Sequence, residues 1–233
     1  MRNSLGFTAT LFVGLASLAS LATGQTCSIV QDINPGTGDS NAEYMHSIDG
    51  QSFLFRADDG TTGKELFRWD ATLGVQLIAD IRPGPSGSFP HSFTTGYFGG
   101  EHRTIFTAND GVNGGEVWAT NGSTAWMVKD IRLGSSGSSP FYFTYHPLHR
   151  AVYFMANNGA LGTELWRTDG TTAGTYIVAD IALGPLGSQP QEFTVLGDNI
   201  IFSADSGPSG RELWASNGQP GGTFKLAEIF GGS

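Results

Sequence analysis

The sequence predicts an all-β protein built from repeated four-stranded antiparallel sheets. Three observations support this: a glycine-rich, charge-poor composition, the absence of helical periodicity, and a repeat of about fifty residues. Of 233 residues, 34 are glycine and only 14% are charged, whereas a coiled coil needs dense charge and few glycines. The 16 Phe, 6 Tyr and 5 Trp residues supply enough apolar surface to argue against disorder. The glycines are therefore expected at the turns between short strands.

An Asp-Ile pair marks the start of each repeat. It begins at Asp32, Asp80, Asp130 and Asp180, spaced by 48, 50 and 50 residues, and a degenerate copy begins at Glu228. A Gly-Ser-x-Pro step, a Phe-x-Ala run and a Gly-x-Glu triplet recur inside the units, which each contain four short apolar runs. Four antiparallel strands in about fifty residues are typical of a β-propeller blade. A β-solenoid or a sandwich built by duplication is the alternative.

These spacings predict a single propeller-like domain over residues 25–233. Its repeats span 32–79, 80–129, 130–179 and 180–227, followed by a terminal strand at 228–233. The last run of the repeat occurs five times, because residues 28–33 and 224–229 both match it. A closed four-blade ring needs one of these terminal copies to complete a shared blade. The spare copy leaves two alternatives open: a homodimer that forms an eight-blade ring, or a piece of a larger ring.

One repeat motif resembles a known family. Residues 164–171 read ELWRTDGT, which is similar to the signature of the ELWxxDGT repeat family of secreted and surface-exposed bacterial proteins. Residues 116–122 (EVWATNG) and 212–218 (ELWASNG) are near matches, and residues 65–70 (ELFRWD) depart most. The resemblance covers essentially the whole mature chain. It implies an exported protein with a propeller-like fold and brings no catalytic residues.

The first 24 residues have the pattern of a secretory signal peptide. Arg2 precedes an apolar run at 11–21, and Ala22 and Gly24 supply the small residues expected before cleavage at Gln25. We therefore expect a protein that is secreted, at the cell surface or periplasmic, without membrane insertion of the mature chain. Cys27 is the only cysteine, so no internal disulfide forms. A net charge of −9 without a basic cluster argues against nucleic acid as a partner.

The loops before the repeated glutamates are rich in Asp and Asn, whose oxygens are ligands that calcium accepts. Calcium is the one cofactor that the sequence suggests, best placed at Asp58, Asp59 and Glu65. Tight turns use the same residue types, which is the alternative. A carboxylate that recurs once per repeat is expected to accept backbone hydrogen bonds or to pair with arginine. That structural interpretation applies to Glu65, Glu116, Glu164 and Glu212.

The aromatic residues divide into two groups. Trp118, Trp166 and Trp214 recur in register and are expected to pack between blades. Aromatic residues outside the shared pattern are candidates for ligand binding, with the covering of a loop as the alternative. They are Trp69, Tyr97, Phe98, Phe141, Tyr142 and Tyr145. The histidines fall at different places in the repeat and are expected on surface loops; they are His46, His91, His102, His146 and His149.

No recognisable catalytic constellation is present in the sequence, and no catalytic residue is predicted. The function that fits best is a secreted, non-enzymatic binding or scaffold module for a glycan or an extracellular protein. Two alternatives remain open. One is an extracellular hydrolase or lyase with acidic residues at the propeller mouth, and the other is a building block of a larger self-assembled propeller.

Overall fold

The computed structural model describes residues 30–207 and 210–227. The predicted signal peptide at 1–24, Cys27 and the predicted terminal strand at 228–233 lie outside the described residues. The chain divides into two units, Met1–Gln31 and Asp32–Ser233, and the fold concerns the second. The described residues contain sixteen strands, and no helix among them is long and apolar enough to cross a membrane.

Each repeat folds into one four-stranded antiparallel sheet whose strands follow chain order. Sheet 1 contains β1 (Glu43–Ser47), β2 (Ser52–Asp58), β3 (Lys64–Asp70) and β4 (Gly74–Ala79). Sheet 2 contains β5 (His91–Phe98), β6 (Glu101–Asn109), β7 (Gly115–Thr120) and β8 (Ala125–Lys129). Sheet 3 contains β9 (Phe141–His146), β10 (Ala151–Asn157), β11 (Thr163–Thr168) and β12 (Tyr176–Ala179). Sheet 4 contains β13 (Gln191–Leu196), β14 (Asn199–Asp205), β15 (Arg211–Ser216) and β16 (Thr223–Ala227). The predicted four repeats of four strands are confirmed.

Consecutive sheets pack face to face. The side of a sheet that points toward the next sheet in the chain is called its forward face. The opposite side, which points toward the preceding sheet, is called its backward face. Between sheets 1 and 2, Leu54 and Leu66 of the forward face meet Phe106 and Ala108 of the backward face. Equivalent apolar clusters join sheets 2 and 3 and sheets 3 and 4. Strands buried on both faces explain the nearly continuous apolar runs in the sequence. The three in-register tryptophans lie in these clusters, as predicted.

The repeated glutamate fixes the connector to the next sheet. The carboxylate of Glu116 on β7 accepts hydrogen bonds from the N–H groups of Ile131, Arg132 and Ser138, at 3.1, 3.2 and 2.7 Å, and from Ser138 Oγ at 2.5 Å. Glu164 accepts the same four hydrogen bonds from its connector, and Glu65 accepts three of them, from the Ile81 and Arg82 N–H groups and Ser88 Oγ. The structural interpretation of these three glutamates is therefore confirmed.

The first strands of consecutive sheets contact one another in the order β1, β5, β9 and β13, so they lie on the inside of the arrangement. All four sheets have their full set of four strands from a single repeat, and residues 30–42 form no strand. The terminal copy at 224–229 contributes residues 224–227 to β16 and so completes sheet 4, whereas residues 30–33 of the other copy form no strand. No apolar cluster within 30–207 and 210–227 joins sheet 4 to sheet 1.

Candidate functional site

The first strand of every sheet contains a β-bulge near its start. From Glu43 to His46, β1 advances by three residues, while the paired part of β2 advances by only two. The same one-residue excess occurs in β5, β9 and β13. A bulge of this kind leaves a residue unpaired and changes the direction of its side chain. The four equivalent segments are residues 41–44, 89–92, 139–142 and 189–192, which together we call the first-strand rim.

Two residues of each segment adopt positive φ, a conformation that costs a non-glycine residue about 1–2 kcal/mol. At the first position these residues are Asn41, Phe89, Ser139 and Gln189, with φ between 44 and 52°. At the last position they are Tyr44, Ser92, Tyr142 and Glu192, with φ between 56 and 60°. They account for eight of the nine non-glycine residues with positive φ in the described chain. Backbone strain of this type concentrates at functional sites.

The side chains on this shared backbone differ from sheet to sheet. The four segments read NAEY, FPHS, SPFY and QPQE, although the flanking Gly-Ser step and the buried strand positions are nearly constant in three repeats. Tyr44, Phe89 and Phe141 expose 53, 47 and 42% of their surface. The rim therefore displays varied chemistry from a backbone that is the same in all four sheets.

Aromatic rings connect the rim across three sheets. The ring centroids of Tyr44 and His91 lie 6.2 Å apart, and those of His91 and Phe141 lie 5.9 Å apart. Phe141 meets Tyr142 edge-on at 5.0 Å. These separations are within the range of attractive aromatic contacts. Burial lowers the pKa of His91, and the nearby Arg56 lowers it further, so this ring is neutral at pH 7.

A group of charged residues supports the rim beneath Tyr44. The Arg56 guanidinium lies 4.4 Å from the Tyr44 ring centroid and 5.7 Å from that of Phe89. Arg56 also forms an ion pair with Glu43, and Lys64 Nζ lies 2.9 Å from the other Glu43 oxygen. The hydrogen bonds from Lys64 and Arg56 lower the pKa of Glu43, which keeps this carboxylate ionised. The Arg56 guanidinium therefore packs against the rings of both Tyr44 and Phe89.

A cleft of about 350 Å³ adjoins the rim between sheets 2 and 3. Phe89 and His91 are among its lining residues, so the cleft adjoins the aromatic rings of the rim. The remaining lining is rich in hydroxyl and amide groups: Ser88, Thr107, Asn109, Ser135, Ser136 and Ser139. Such a cleft offers hydrogen bonds together with one aromatic surface, a combination typical of sites for small polar ligands.

The structure separates the six aromatic residues that the sequence suggested for ligand binding. Phe141 and Tyr142 lie on the first-strand rim. Tyr97 lies at the opposite end of β5, where it is 40% exposed, and Phe98 beside it is buried. Tyr145 packs edge-on against Phe98 at 5.4 Å and donates a hydrogen bond to the Tyr97 carbonyl at 3.0 Å.

The sixth residue, Trp69, lies on the backward face of sheet 1. Its ring stacks on Phe53, with the centroids 5.4 Å apart. Trp69 pairs with Phe53, which pairs with Ser47 at the end of β1, so Trp69 lies at the opposite end of the strands from the rim. The sequence pattern gave no means of separating these locations.

The suggested calcium ligands serve as hydrogen-bond acceptors for their own loop and connector. Asp58 Oδ1 accepts from the Gly60 N–H at 2.8 Å. Burial alone would raise the pKa of Asp59, but hydrogen bonds from Thr62 and Thr61 outweigh it and lower the pKa. Glu65 binds the connector. Among the described residues no group of three or more His, Cys, Asp or Glu is placed to hold a metal ion. Calcium binding stays a prediction from the sequence.

The expectation that the histidines lie on surface loops is wrong for four of them, which lie in strands: His46, His91, His102 and His146. His146 is fully buried at the end of β9. Its ring stacks on His149 with the centroids 3.7 Å apart. His149 in turn contacts the Tyr153 hydroxyl at 2.7 Å and Asp198 at 3.1 Å. Burial lowers the pKa of His146. These residues therefore form a packed polar contact between sheets 3 and 4, which the irregular spacing of the histidines concealed.

Sequence reasoning missed Tyr44, Phe89 and His91 as members of the candidate site. A signal was nevertheless present for Phe89, which is the variable residue of the Gly-Ser-x-Pro step. This residue is exposed in each copy, whereas the Gly, Ser and Pro around it are buried. Variation at one position inside an otherwise constant motif marks a side chain that is free of the packing constraints on its neighbours.

Comparison with known proteins yields likeness of fold only. No family model matches the chain and no curated protein matches it, so the ELWxxDGT resemblance stays a prediction. The crystal structure of puromycin hydrolase superposes with a TM-score of 0.52 at 13% identity, over 80% of this chain and 28% of that one. A protein from Agrobacterium tumefaciens described as TolB gives a TM-score of 0.47 at 12% identity, over 86% of this chain and 70% of that one.

The present chain thus spans less than a third of the length of puromycin hydrolase. At this level of identity, the similarity extends to the architecture and to no activity. It agrees with the four meandering antiparallel sheets and with the first strands on the inside. The protein has an all-β fold of the β-propeller type.

Proposed function

We propose that the protein is a secreted, non-enzymatic binding module whose first-strand rim contacts a glycan. The observation that carries the proposal is one strained backbone conformation, present in all four sheets, that displays different side chains in each. Glycine would remove the strain at every one of these eight positions. The chain contains 34 glycines and places none of them there. The side chains are therefore retained against a conformational cost.

The chemistry of the rim favours a sugar over other small ligands. Tyr44, Phe89 and Phe141 offer exposed ring faces, and apolar ring faces pack well against the C–H surfaces of pyranose rings. The adjoining cleft supplies hydroxyl and amide groups that match sugar hydroxyls. The net charge of −9 argues against a strongly anionic polysaccharide, since repulsion would oppose its approach.

The electrostatics of the rim support binding over hydrolysis. A glycosidase needs a protonated carboxylic acid near neutral pH, which requires a raised pKa. On the rim, Glu43 has a lowered pKa because Lys64 and Arg56 hold its carboxylate. The glutamates with a raised pKa, among them Glu65 and Glu116, are buried and bind the connectors.

A glycan array probed with the labelled chain tests this proposal. We expect binding to a neutral glycan class, and we expect Tyr44→Ala and Phe141→Ala each to weaken it by about thirtyfold, the effect of losing a central aromatic contact. Tyr97→Ala is the matched control, since Tyr97 is a similarly exposed aromatic at the other end of the first strands. It should leave binding unchanged.

Two results would contradict the proposal. If no glycan binds at millimolar concentration, the rim is not a glycan site. If Tyr97→Ala weakens binding as much as Tyr44→Ala, the ligand does not distinguish the two ends of the sheets. Binding to an extracellular protein that persists after enzymatic deglycosylation would overturn the choice of a glycan as the ligand.

A further inference from the structure

The forward face of sheet 4 is exposed although it repeats a buried pattern. Leu213 follows the glutamate on β15 and is 36% exposed, whereas the equivalent Leu66, Val117 and Leu165 are fully buried. Leu226 is 45% exposed, whereas its equivalents Val128 and Val178 are 2 and 4% exposed. Three further apolar residues lie on this face: Leu196, Ile201 and Phe224. In sheets 1 to 3, the next sheet covers this surface.

The backward face of sheet 1 carries the complementary half of the same contact. Phe55 and Ala57 correspond to Phe106 and Ala108, which meet the forward face of sheet 1 in the first internal junction. Phe53, Phe67, Trp69 and Val75 extend this apolar cluster. Leu77 shares the face, because it pairs with Phe67, and it is exposed. Phe55, Ala57 and Phe67 are already buried by their own chain, so the part of this face left open to another sheet is Leu77 with the half-buried Phe53 and Trp69.

The connector that precedes sheet 1 is already docked as the internal connectors are. Ile33 packs on this face as Ile81 packs on sheet 2. The Asp58 N–H donates to the Ser40 carbonyl at 2.8 Å, and the Asn109 N–H donates to the Ser88 carbonyl in the same way at 3.0 Å. The connector before sheet 1 is therefore already ordered as it is in the internal junctions. This lowers the conformational entropy cost of packing the forward face of another sheet against sheet 1.

We infer that the forward face of sheet 4 in one chain packs against the backward face of sheet 1 in a second copy, and reciprocally, to close a ring of two chains and eight sheets. The contact is heterologous, so it forms a ring when the rotation closes. Known propellers contain about 4–8 blades, and two chains give eight, whereas three would exceed that range.

The backbone and the charges at the two surfaces are compatible with this pairing. In the internal junctions, the N–H groups of Ser88 and Phe89 donate to the Lys64 carbonyl of the preceding sheet at 3.0 Å. The equivalent donors before sheet 1 are the N–H groups of Ser40 and Asn41, and the equivalent acceptor on sheet 4 is the Arg211 carbonyl. These groups would meet in a junction between two copies that is as narrow as the internal ones.

One position departs from the internal pattern. Asp39 stands where the later connectors have glycine, and a Cβ at the equivalent Gly87 would lie 2.4 Å from the Lys64 backbone nitrogen. The junction between copies must therefore be wider there than the internal ones, which lengthens the hydrogen bonds from the Ser40 and Asn41 N–H groups to the Arg211 carbonyl. In such a junction Asp39 would lie near Arg211, the counterpart of Lys64; both are exposed in the single chain, where Arg211 Nη1 donates to the Gln189 and Ser203 carbonyls. This opposite charge pairing favours the head-to-tail arrangement over a symmetric contact of like faces.

Light scattering after size-exclusion chromatography tests the inference on the exported chain. We expect a mass of two chains, and we expect Leu213→Glu and Trp69→Glu each to weaken association by about thirtyfold or more, because each buries a charge in the junction. Leu183→Glu is the matched control, since Leu183 is exposed on a connector and lies on neither face. It should keep the mass of two chains.

Mixing the two variants distinguishes a head-to-tail contact from any other. Leu213→Glu retains an intact sheet 1 face and Trp69→Glu retains an intact sheet 4 face, so the mixture should regain a two-chain species through one junction. Thermal melting confirms that each variant is folded, and Phe224→Glu replaces Leu213→Glu if the latter fails to fold. A single-chain mass up to about 100 µM, failure of the mixture to associate, or larger open assemblies would overturn the two-chain ring.

Discussion

The repeated glutamate offers the sharpest quantitative test of the fold, and Glu116→Gln is the perturbation. The Glu116 carboxylate accepts two hydrogen bonds at each oxygen: from the Arg132 and Ser138 N–H groups at Oε1, and from the Ile131 N–H and Ser138 Oγ at Oε2. Glutamine has nearly the same shape but replaces one oxygen by an NH₂ group. The substitution therefore tests the need for acceptors with little change in packing.

The cost follows from how glutamine can fit. Its oxygen is best placed at the Oε1 site, where two N–H groups donate, and its NH₂ then donates to Ser138 Oγ after the hydroxyl rotates. The Ile131 N–H is left facing an NH₂ group without an acceptor, and the remaining bonds lose their charge assistance. An unpaired buried donor costs about 1–3 kcal/mol and the weaker bonds add to that, so we expect a total of about 2–4 kcal/mol.

Urea and thermal unfolding at pH 7.5 measure this effect. For a domain of this size, 2–4 kcal/mol corresponds to a decrease in Tm of about 4–16 °C. Glu101→Gln is the control, because Glu101 lies on an exposed hairpin and pairs only with Arg103, so its loss should change stability by less than about 1 kcal/mol. If Glu116→Gln is as stable as the wild type at pH 7.5, the carboxyl is not acting as a four-bond acceptor and the reasoning is refuted.

Two other predictions follow from individual contacts. Gly218→Ala should cost at least about 1 kcal/mol more than Gly197→Ala, because both have positive φ but only at Gly218 would a Cβ meet a neighbour, Tyr153 Oη at 1.7 Å. If chemical denaturation shows the same loss of unfolding free energy for both variants, a Cβ at position 218 does not clash with Tyr153. Asp59→Ala should cost about 1–2 kcal/mol in EDTA, because its carboxylate accepts from the Thr61 and Thr62 N–H groups at 2.8 Å; an unchanged melting curve would show that these bonds contribute nothing.

Much of the architecture could be predicted because each repeat carries the same residues at the positions that strands and turns require. The Phe-x-Ala run must be buried on both faces, and the hairpins need turn residues, so each copy preserves these features independently. The structural role of the glutamate could be predicted because a carboxylate that recurs at the same position in every repeat is expected to stabilise each repeat. Its actual partners, the N–H groups of the connector, are set by the way the chain passes from one sheet to the next.

The candidate site was only partly accessible to this reasoning. Phe141 and Tyr142 stood out because they are aromatic and break the pattern. Tyr44 and His91 come near Phe141 only because bulges in three separate first strands turn their starts toward a common region. A bulge depends on the register between two strands, and no single-strand pattern encodes it. Phe98 is aromatic too, yet packing places it in the core.

The sequence by itself determined the number of repeats, the four strands in each, the tryptophan layer between sheets and the structural use of the glutamates. These features are periodic, and a periodic constraint is visible in one chain. The tertiary structure alone decided which apolar faces remain uncovered and where strain accumulates. Leu66 and Leu213 occupy the same place in the repeat, and one is buried and the other exposed only because a sheet follows the first and none of the described sheets follows the second.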